Sequence, residues 1–205
     1  MIDLYMAGTA NGFRASVALE ETGIPYRVHK VDLAKGGQRT PEFLKMNPAG
    51  AIPVIADSEG PDGKPLYIAQ SGAIVMYLAA KSGKLIPRDA RRRAQAIQYI
   101  LMAASDVAGA SGAIFQLEVV SPEKSPANIE LFKKRLLNYF TIIDQQLAGR
   151  DFLADEFSAA DVMLYPNFFA RKSLVDAAGG YENLQRWGAA ISARPAVQRG
   201  MKVLG

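Results

Sequence analysis

The sequence predicts two units of different class in succession, an α/β domain over residues 1–82 and an all-α domain over residues 88–205, joined by a linker at 83–87. Three observations carry this. Strand and helix patterns alternate as far as Ser82. The stretch Ser82-Gly83-Lys84-Leu85-Ile86-Pro87 then interrupts the periodicity. Beyond it, β-branched runs of period two vanish and apolar residues recur at helical spacing.

In the first half, Ile2, Leu4 and Met6 alternate with Asp3 and Tyr5, the period of a half-buried strand. Asn11-Gly12 opens a helix that carries Phe13, Val17 and Leu19 and stops at Thr22-Gly23. Tyr26 to Leu33 reads as a second strand, parallel to the first because a crossover helix joins them. After Gly36-Gly37, a short helix from Pro41 to Met46 ends at the Asn47-Pro48 turn. Val54 to Asp57 and Leu66 to Ile68 form a hairpin around Gly60-Pro61-Asp62-Gly63, a strong turn sequence. Gln70-Ser71-Gly72-Ala73-Ile74 then opens an apolar helix that runs to Leu78. The order β-α-β-α-β-β-α is that of a thioredoxin-like domain.

In the second half, Ala94, Ile97, Leu101, Ala104 and Ala108 make one apolar stripe, and Ile129, Phe132, Leu136, Phe140, Ile143 and Leu147 make another. Ser158-Ala159-Ala160-Asp161 has the form of a capping box with Asp in place of Glu, opening a helix through Phe168-Phe169. Leu184, Trp187 and Ile191 mark a further helix that ends before Arg194-Pro195. Trp187, Phe168 and Phe169 read as core.

Composition narrows the chemistry. The chain has no cysteine, so a disulfide, a thiolate metal site and a protein thiol nucleophile are all excluded. With His29 the only histidine, a histidine-based zinc site is not expected either. Any sulfur chemistry must use a thiol carried by a ligand. The net charge of +4 raises the question of nucleic acid. The basic runs Arg91-Arg92-Arg93 and Lys133-Lys134-Arg135 fall on helices near Asp89, Glu123 and Glu130, and no aromatic residues interleave with them. They read as solvated faces, so no nucleic-acid partner is expected. No uninterrupted apolar run approaches the ~18 residues of a membrane span, and Met1-Ile2-Asp3-Leu4-Tyr5-Met6 reads as a strand rather than a leader. The expectation is a cytoplasmic protein without a membrane partner.

One segment is more specific than the rest. Asn47-Pro48-Ala49-Gly50-Ala51-Ile52-Pro53-Val54-Ile55 places a proline at the start of an apolar strand, where a missing ladder donor is tolerated. Together, "NPAGAIPVI" and "QSGAI" resemble the glutathione-binding half of a cytosolic glutathione S-transferase, a thioredoxin-like domain followed by an all-helical one. The resemblance implies a cis bond at Ile52-Pro53. It also implies that the Ile52 main chain pairs with the cysteinyl part of glutathione as an added strand would. Gln70 and Ser71 match positions that hold the γ-glutamyl end, and Gln38 matches one that contacts the glycyl end. Gln70 stands where the family more often has Glu, so it brings no charge to the ligand ammonium.

The segment Thr9-Ala10-Asn11-Gly12 resembles the "TPNG" of the bacterial Nu class, a group that includes disulfide-bond reductases, without its proline. By that resemblance Thr9 and Asn11 are the catalytic residues, a hydroxyl and an amide that keep the glutathione sulfur as thiolate. A free thiol of pKa ~8.5 is only a few per cent ionised at neutral pH, and lowering that value by about two units takes roughly 2.7 kcal/mol. A hydroxyl donor and backbone N–H groups at a helix N-terminus can supply it. Each residue also has a plain reading. Thr9 or Asn11 can serve as an ordinary N-cap, and Ser71 can cap the helix it opens. Tyr5 is the competing candidate, since other branches of the family use a tyrosine near the end of the first strand. Lys35 could reach the glycyl carboxylate or simply be solvated. Asp106 could reach a ligand in a partner subunit or lie on a helix surface. Asp161 reads as a cap that organises the helical core.

The resemblance implies a homodimeric glutathione transferase that needs no metal and takes glutathione as co-substrate. The second substrate would be a small hydrophobic electrophile or a disulfide, in an apolar cleft lined by Met6, Phe13 and residues between Met102 and Phe115. Two alternatives stay open. One is a non-catalytic regulator or scaffold; the other is a specialised glutathione-dependent isomerase, dehalogenase or ether-cleaving lyase. The stretch from Ser105 to Ser125, short and rich in Ala and Gly, departs from the Nu pattern.

Overall fold

The computed structural model describes residues 1–204, which form two compact units. The first comprises residues 1–86 and 192–204, the second residues 87–191.

In the first unit, strand β1 (Ile2–Met6) leads through helix α1 (Ala10–Thr22) into β2 (Tyr26–Lys30). A single 3-10 turn (Gly37–Arg39) and α2 (Pro41–Met46) precede β3 (Val54–Asp57), β4 (Leu66–Ala69) and α3 (Ser71–Ser82). The sheet order is β2-β1-β3-β4, with β1 parallel to β2 and antiparallel to β3, and β3 antiparallel to β4. The parallel pair follows from the α1 crossover, and the antiparallel pair from the hairpin turn. The alternation in β1 is carried into three dimensions. Ile2, Leu4 and Met6 are fully buried, while Asp3 and Tyr5 are half-buried on the other face. Helices α1 and α3 pack together, and their buried residues include Ala15, Ala18, Leu19, Ile74 and Leu78. Val31, Phe43 and Val54 form a second cluster, flanked by Tyr5, Met46, Ile52 and Ala69. Asp57 joins β3 to α3, accepting from the Tyr77 hydroxyl and the Lys81 ammonium at 2.6 Å each.

The second unit runs from α4 (Ala90–Met102) through π-helical turns at 103–107 and 116–120 that flank α5 (Ala108–Phe115). It continues with α6 (Pro126–Gln146), α7 (Ala159–Ala170), α8 (Lys172–Ala178) and α9 (Glu182–Ser192). Helix α7 is buried over 159–168 on all its faces, the signature of a central core helix. The predicted capping box is present at its start. Asp161 accepts from Ser158 N at 2.9 Å, Leu153 N at 3.2 Å and the Trp187 indole at 2.9 Å, and also meets the Ser158 hydroxyl at 3.3 Å. Burial pushes its carboxyl up to about 6 in spite of these donors. Trp187 and Phe168 are buried against each other, ring centroids 5.7 Å apart.

Three expectations are corrected. The stripe Ala94, Ile97, Leu101, Ala104 and Ala108 lies on the outer side of its helix, with Leu101 58% exposed. The inner side is formed by Ala96, Ile100, Ala103, Val107, Ala110 and Ile114. Both sets are apolar at helical spacing, so the period alone does not choose between them. Phe169 is 55% exposed and not part of the core. The run Ala90–Val120, although broken by polar residues, is by length and composition apolar enough to cross a membrane. Here α4 packs on α7 and α5 on α6. Residues 192–204 belong to the first compact unit. Helix α10 (Pro195–Gly200) packs on α1, where Ser16 Oγ donates to the Gly200 carbonyl at 2.6 Å and Arg194 makes a two-pronged ion pair with Glu21. A Cβ on Gly200 would meet the Val17 backbone at 2.7 Å, so only glycine allows this approach.

Candidate active site

The strand registers bring the sequence-predicted residues to one end of the sheet. Met6, at the end of β1, lies beside Lys30 at the end of β2, and Tyr5 lies opposite Val54 at the start of β3. Val54 in turn lies opposite Ala69 at the end of β4. The segments carrying Thr9 and Asn11, Gln38, Ile52 and Pro53, and Gln70 and Ser71 therefore all leave the sheet at this end.

Thr9 is the N-cap of α1. Its backbone is extended, and its hydroxyl oxygen accepts from Gly12 N at 3.2 Å. A hydroxyl has one proton and two lone pairs, so this cap leaves the proton free. It donates to no group among the described residues. Gly12 is needed for the same turn, because a Cβ there would collide with the Ala7 carbonyl oxygen. Asn11 is exposed, and its Oδ1 accepts from Arg14 Nη1 at 2.9 Å.

Arg14 is the residue that sequence reading missed. It is 1% exposed, and the same Nη1 donates to Ser71 Oγ at 3.2 Å. Burial lowers its guanidinium to about 10, so it stays charged at neutral pH. A signal was present. Arg14 lies four residues before Ala18 on a helix whose core face also carries Ala15, Leu19 and Thr22, so its position points inward.

Ser71 is the first residue of α3 and is buried. Gln70 before it has φ 70°, the half of the map that L-residues avoid, and its exposed side chain makes no capping bond. The first N–H groups of α3 are thus uncapped by any side chain, where the helix dipole is positive. Asn47 shapes the preceding loop, donating to the Ala51 carbonyl at 2.7 Å and accepting from Ala49 N at 3.2 Å. The Ile52–Pro53 bond that follows is cis. The Ile52 side chain packs on the Val31–Phe43–Val54 cluster, and its main-chain N–H and C=O have no partner among the described residues. Gln38 Oε1 is buried and likewise without a partner.

The remaining candidates fall elsewhere. Tyr5 stacks on His29 with ring centroids 4.6 Å apart, and burial raises its phenol, which keeps it protonated. His29 Nε2 lies 2.7 Å from Asp3, which also holds Arg27. Lys35 is exposed and 3.7 Å from Asp32. No group of three or more metal-ligating side chains comes together among the described residues.

A four-stranded mixed sheet of this topology, a cis-proline loop beside an uncapped helix start, and a separate helical unit define a class. The chain belongs to the glutathione S-transferase family. The family's N-terminal domain matches residues 10–81 and its C-terminal domain residues 126–189. Among its relatives is the disulfide-bond oxidoreductase YfcG of Escherichia coli K12, 35% identical over 200 residues, covering 96% of this chain and 92% of that protein. The disulfide-bond oxidoreductase YghU of the same organism is 32% identical over 97% of this chain and 73% of its own length. A glutathione transferase from Pseudomonas putida, solved with one glutathione disulfide per subunit, superposes with a TM-score of 0.92 at 31% identity, covering 100% and 92% of the two chains. One from Burkholderia graminis, with two glutathione molecules per subunit, gives 0.91 at 37% identity over 99% and 88%.

Proposed function

We propose that this chain is a glutathione transferase that holds glutathione as thiolate at the strand-end site of its first unit and uses it on small electrophiles and on disulfides. The observation that carries this reading is the Ile52 main chain, whose N–H and C=O have no partner among the described residues and lie beside the last strand residues. An extended peptide can pair with that edge as an added strand. In this reading Ser71 and the uncapped N–H groups of α3 take the γ-glutamyl carboxylate, Gln70 accepts from the ammonium, and Gln38 takes the glycyl end. The Thr9 hydroxyl proton and the Asn11 amide face the sulfur. The chain has no cysteine and a single histidine, so the thiol is ionised by electrostatic stabilisation rather than by a dedicated base.

The relatives named as disulfide-bond oxidoreductases, and the neighbour that holds glutathione disulfide, support disulfide reduction as one activity. The glutathione thiolate attacks one sulfur of a substrate disulfide, the S–S bond breaks, and the departing thiolate takes a proton from water. A second glutathione attacks the mixed disulfide, giving glutathione disulfide and the second free thiol. A homodimer is supported by the outward apolar stripe of α4, with Leu101 at its centre, and by exposed Tyr67 and Met76 in the first unit.

Calorimetry with glutathione, followed by turnover assays with a panel of electrophiles and disulfides, tests the proposal. Binding with turnover of either class is the expected result. Binding without any turnover points to the regulator reading, and no binding overturns the assignment. Ser71→Ala should weaken glutathione binding by about ten- to a hundred-fold, the loss of one charge-assisted hydrogen bond.

A further inference from the structure

We propose that Arg14 is a positioning residue that sets the direction of the hydrogen bonds made by Asn11 and Ser71, and thereby joins the sulfur end and the carboxylate end of the site into one unit. This rests on the glutathione reading above.

A guanidinium only donates, and each terminal nitrogen carries two N–H bonds. Arg14 Nη1 spends these on Asn11 Oδ1 at 2.9 Å and Ser71 Oγ at 3.2 Å. Both partners must therefore act as acceptors on their inner side. For Asn11 this decides the amide orientation. With Oδ1 held inward, the NH2 group is the part that can face a ligand. For Ser71 the oxygen accepts from Arg14, so its single proton is left to donate outward.

An anion-binding site needs donors where the charge sits, and glutathione in its reactive form carries an anion at each of these places. Without Arg14, the Asn11 amide could turn its carbonyl oxygen toward the sulfur, and Ser71 could turn its proton inward. Arg14 removes both wrong orientations from a single nitrogen. It also places a full positive charge beneath the starts of α1 and α3, in an interior that screens it weakly. Asn11 and Ser71 are 60 positions apart in sequence, on different helices, and this nitrogen is a bridge between them.

A residue that merely braced two helices would alter stability and leave the thiol's titration alone. The test therefore reads the pKa of enzyme-bound glutathione from thiolate absorbance against pH, with the dissociation constant from calorimetry. The variants are Ser71→Ala, Asn11→Ala, their combination, Arg14→Met and Arg14→Lys. Ser71→Ala, although it lies at the carboxylate end, is expected to raise the bound thiol's pKa by a few tenths of a unit, roughly a twofold loss of thiolate stabilisation. The double variant should weaken binding by less than the product of the two single effects. Arg14→Met should raise the pKa by about one unit and weaken binding about tenfold, with Arg14→Lys recovering part of both. If Arg14→Met does not fold, the Asn11/Ser71 cycle decides the matter with Arg14 intact. A Ser71→Ala enzyme whose bound thiol titrates as in the parent, together with an additive cycle, overturns the inference while leaving the glutathione site standing. A parent enzyme that binds no glutathione overturns both.

Discussion

Replacing Thr9 with alanine removes two interactions that can be read separately. The first is the cap. Thr9 Oγ1 accepts from Gly12 N at 3.2 Å, and losing an N-cap of this kind costs about 1 kcal/mol. For a chain of this length that is a fall in Tm of about 2–4 °C. The second is the proposed bond from the Thr9 hydroxyl proton to the glutathione sulfur. A hydrogen bond to a charged acceptor contributes about 1.5–3 kcal/mol, which corresponds to about one to two units in the pKa of the bound thiol. From a starting value of about 6.5, such a shift takes the sulfur at pH 7 from mostly thiolate to between about a quarter and a few per cent, and the attack slows in proportion. Glutathione affinity should change far less, because the ends of the tripeptide are held elsewhere. Thiolate absorbance against pH measures the titration, thermal unfolding measures the cap, and Tyr5→Phe is the control. Thr9→Ser should behave as the parent in both. A Thr9→Ala enzyme that loses Tm but keeps the parent titration would reduce Thr9 to a cap. A titration moved by Tyr5→Phe instead would transfer the role to Tyr5.

Asp161 should make the protein less stable as pH rises from about 4 to about 6. Its folded pKa of about 6 lies above the ordinary 3.8, so the folded state holds the proton more tightly, and this contribution is lost as pH rises through the folded value. The shift corresponds to about 3 kcal/mol, and denaturant titrations of the parent and Asp161→Asn across this range should differ in slope; equal slopes would refute it. Leu101→Glu places a charge in the outward stripe of α4 and should yield a monomer by light scattering if that stripe is a subunit interface, with little change in Tm because the residue is 58% exposed. An unchanged mass in solution would remove α4 from the proposed interface.

Local chemistry made much of the architecture legible. The alternation in Ile2–Met6, the turn at Gly60–Gly63 and the capping box at Ser158–Asp161 each act within a few residues, so their readings need no knowledge of distant partners. The stripe from Leu136 to Leu147 was legible for a related reason. Its opposite side is mostly polar, with Lys134, Asn138, Gln145 and Gln146 exposed beside Leu131 and Ile142, so the continuous apolar face is the one that turns inward. The candidate residues at the sheet end were found through the "NPAGAIPVI", "QSGAI" and "TANG" segments, since periodicity alone treats them as caps and turns.

What the tertiary structure decided was the choice among locally equivalent options. Helix α4 and its continuation are apolar on two faces, so which stripe is buried depends on the helices that pack there. Residues 192–204 join the first unit because Gly200 can approach Val17, a contact across 183 positions that no local pattern encodes. Arg14 is the clearest case. A single arginine in a helix reads as solvated, since burying a charge is costly unless partners meet it. Those partners are Asn11, three residues away, and Ser71, which only the folding of α3 against α1 brings within 3.2 Å. The sequence determines which groups are available as donors and acceptors. Only the packed fold determines which of them face each other and which are left to face a ligand.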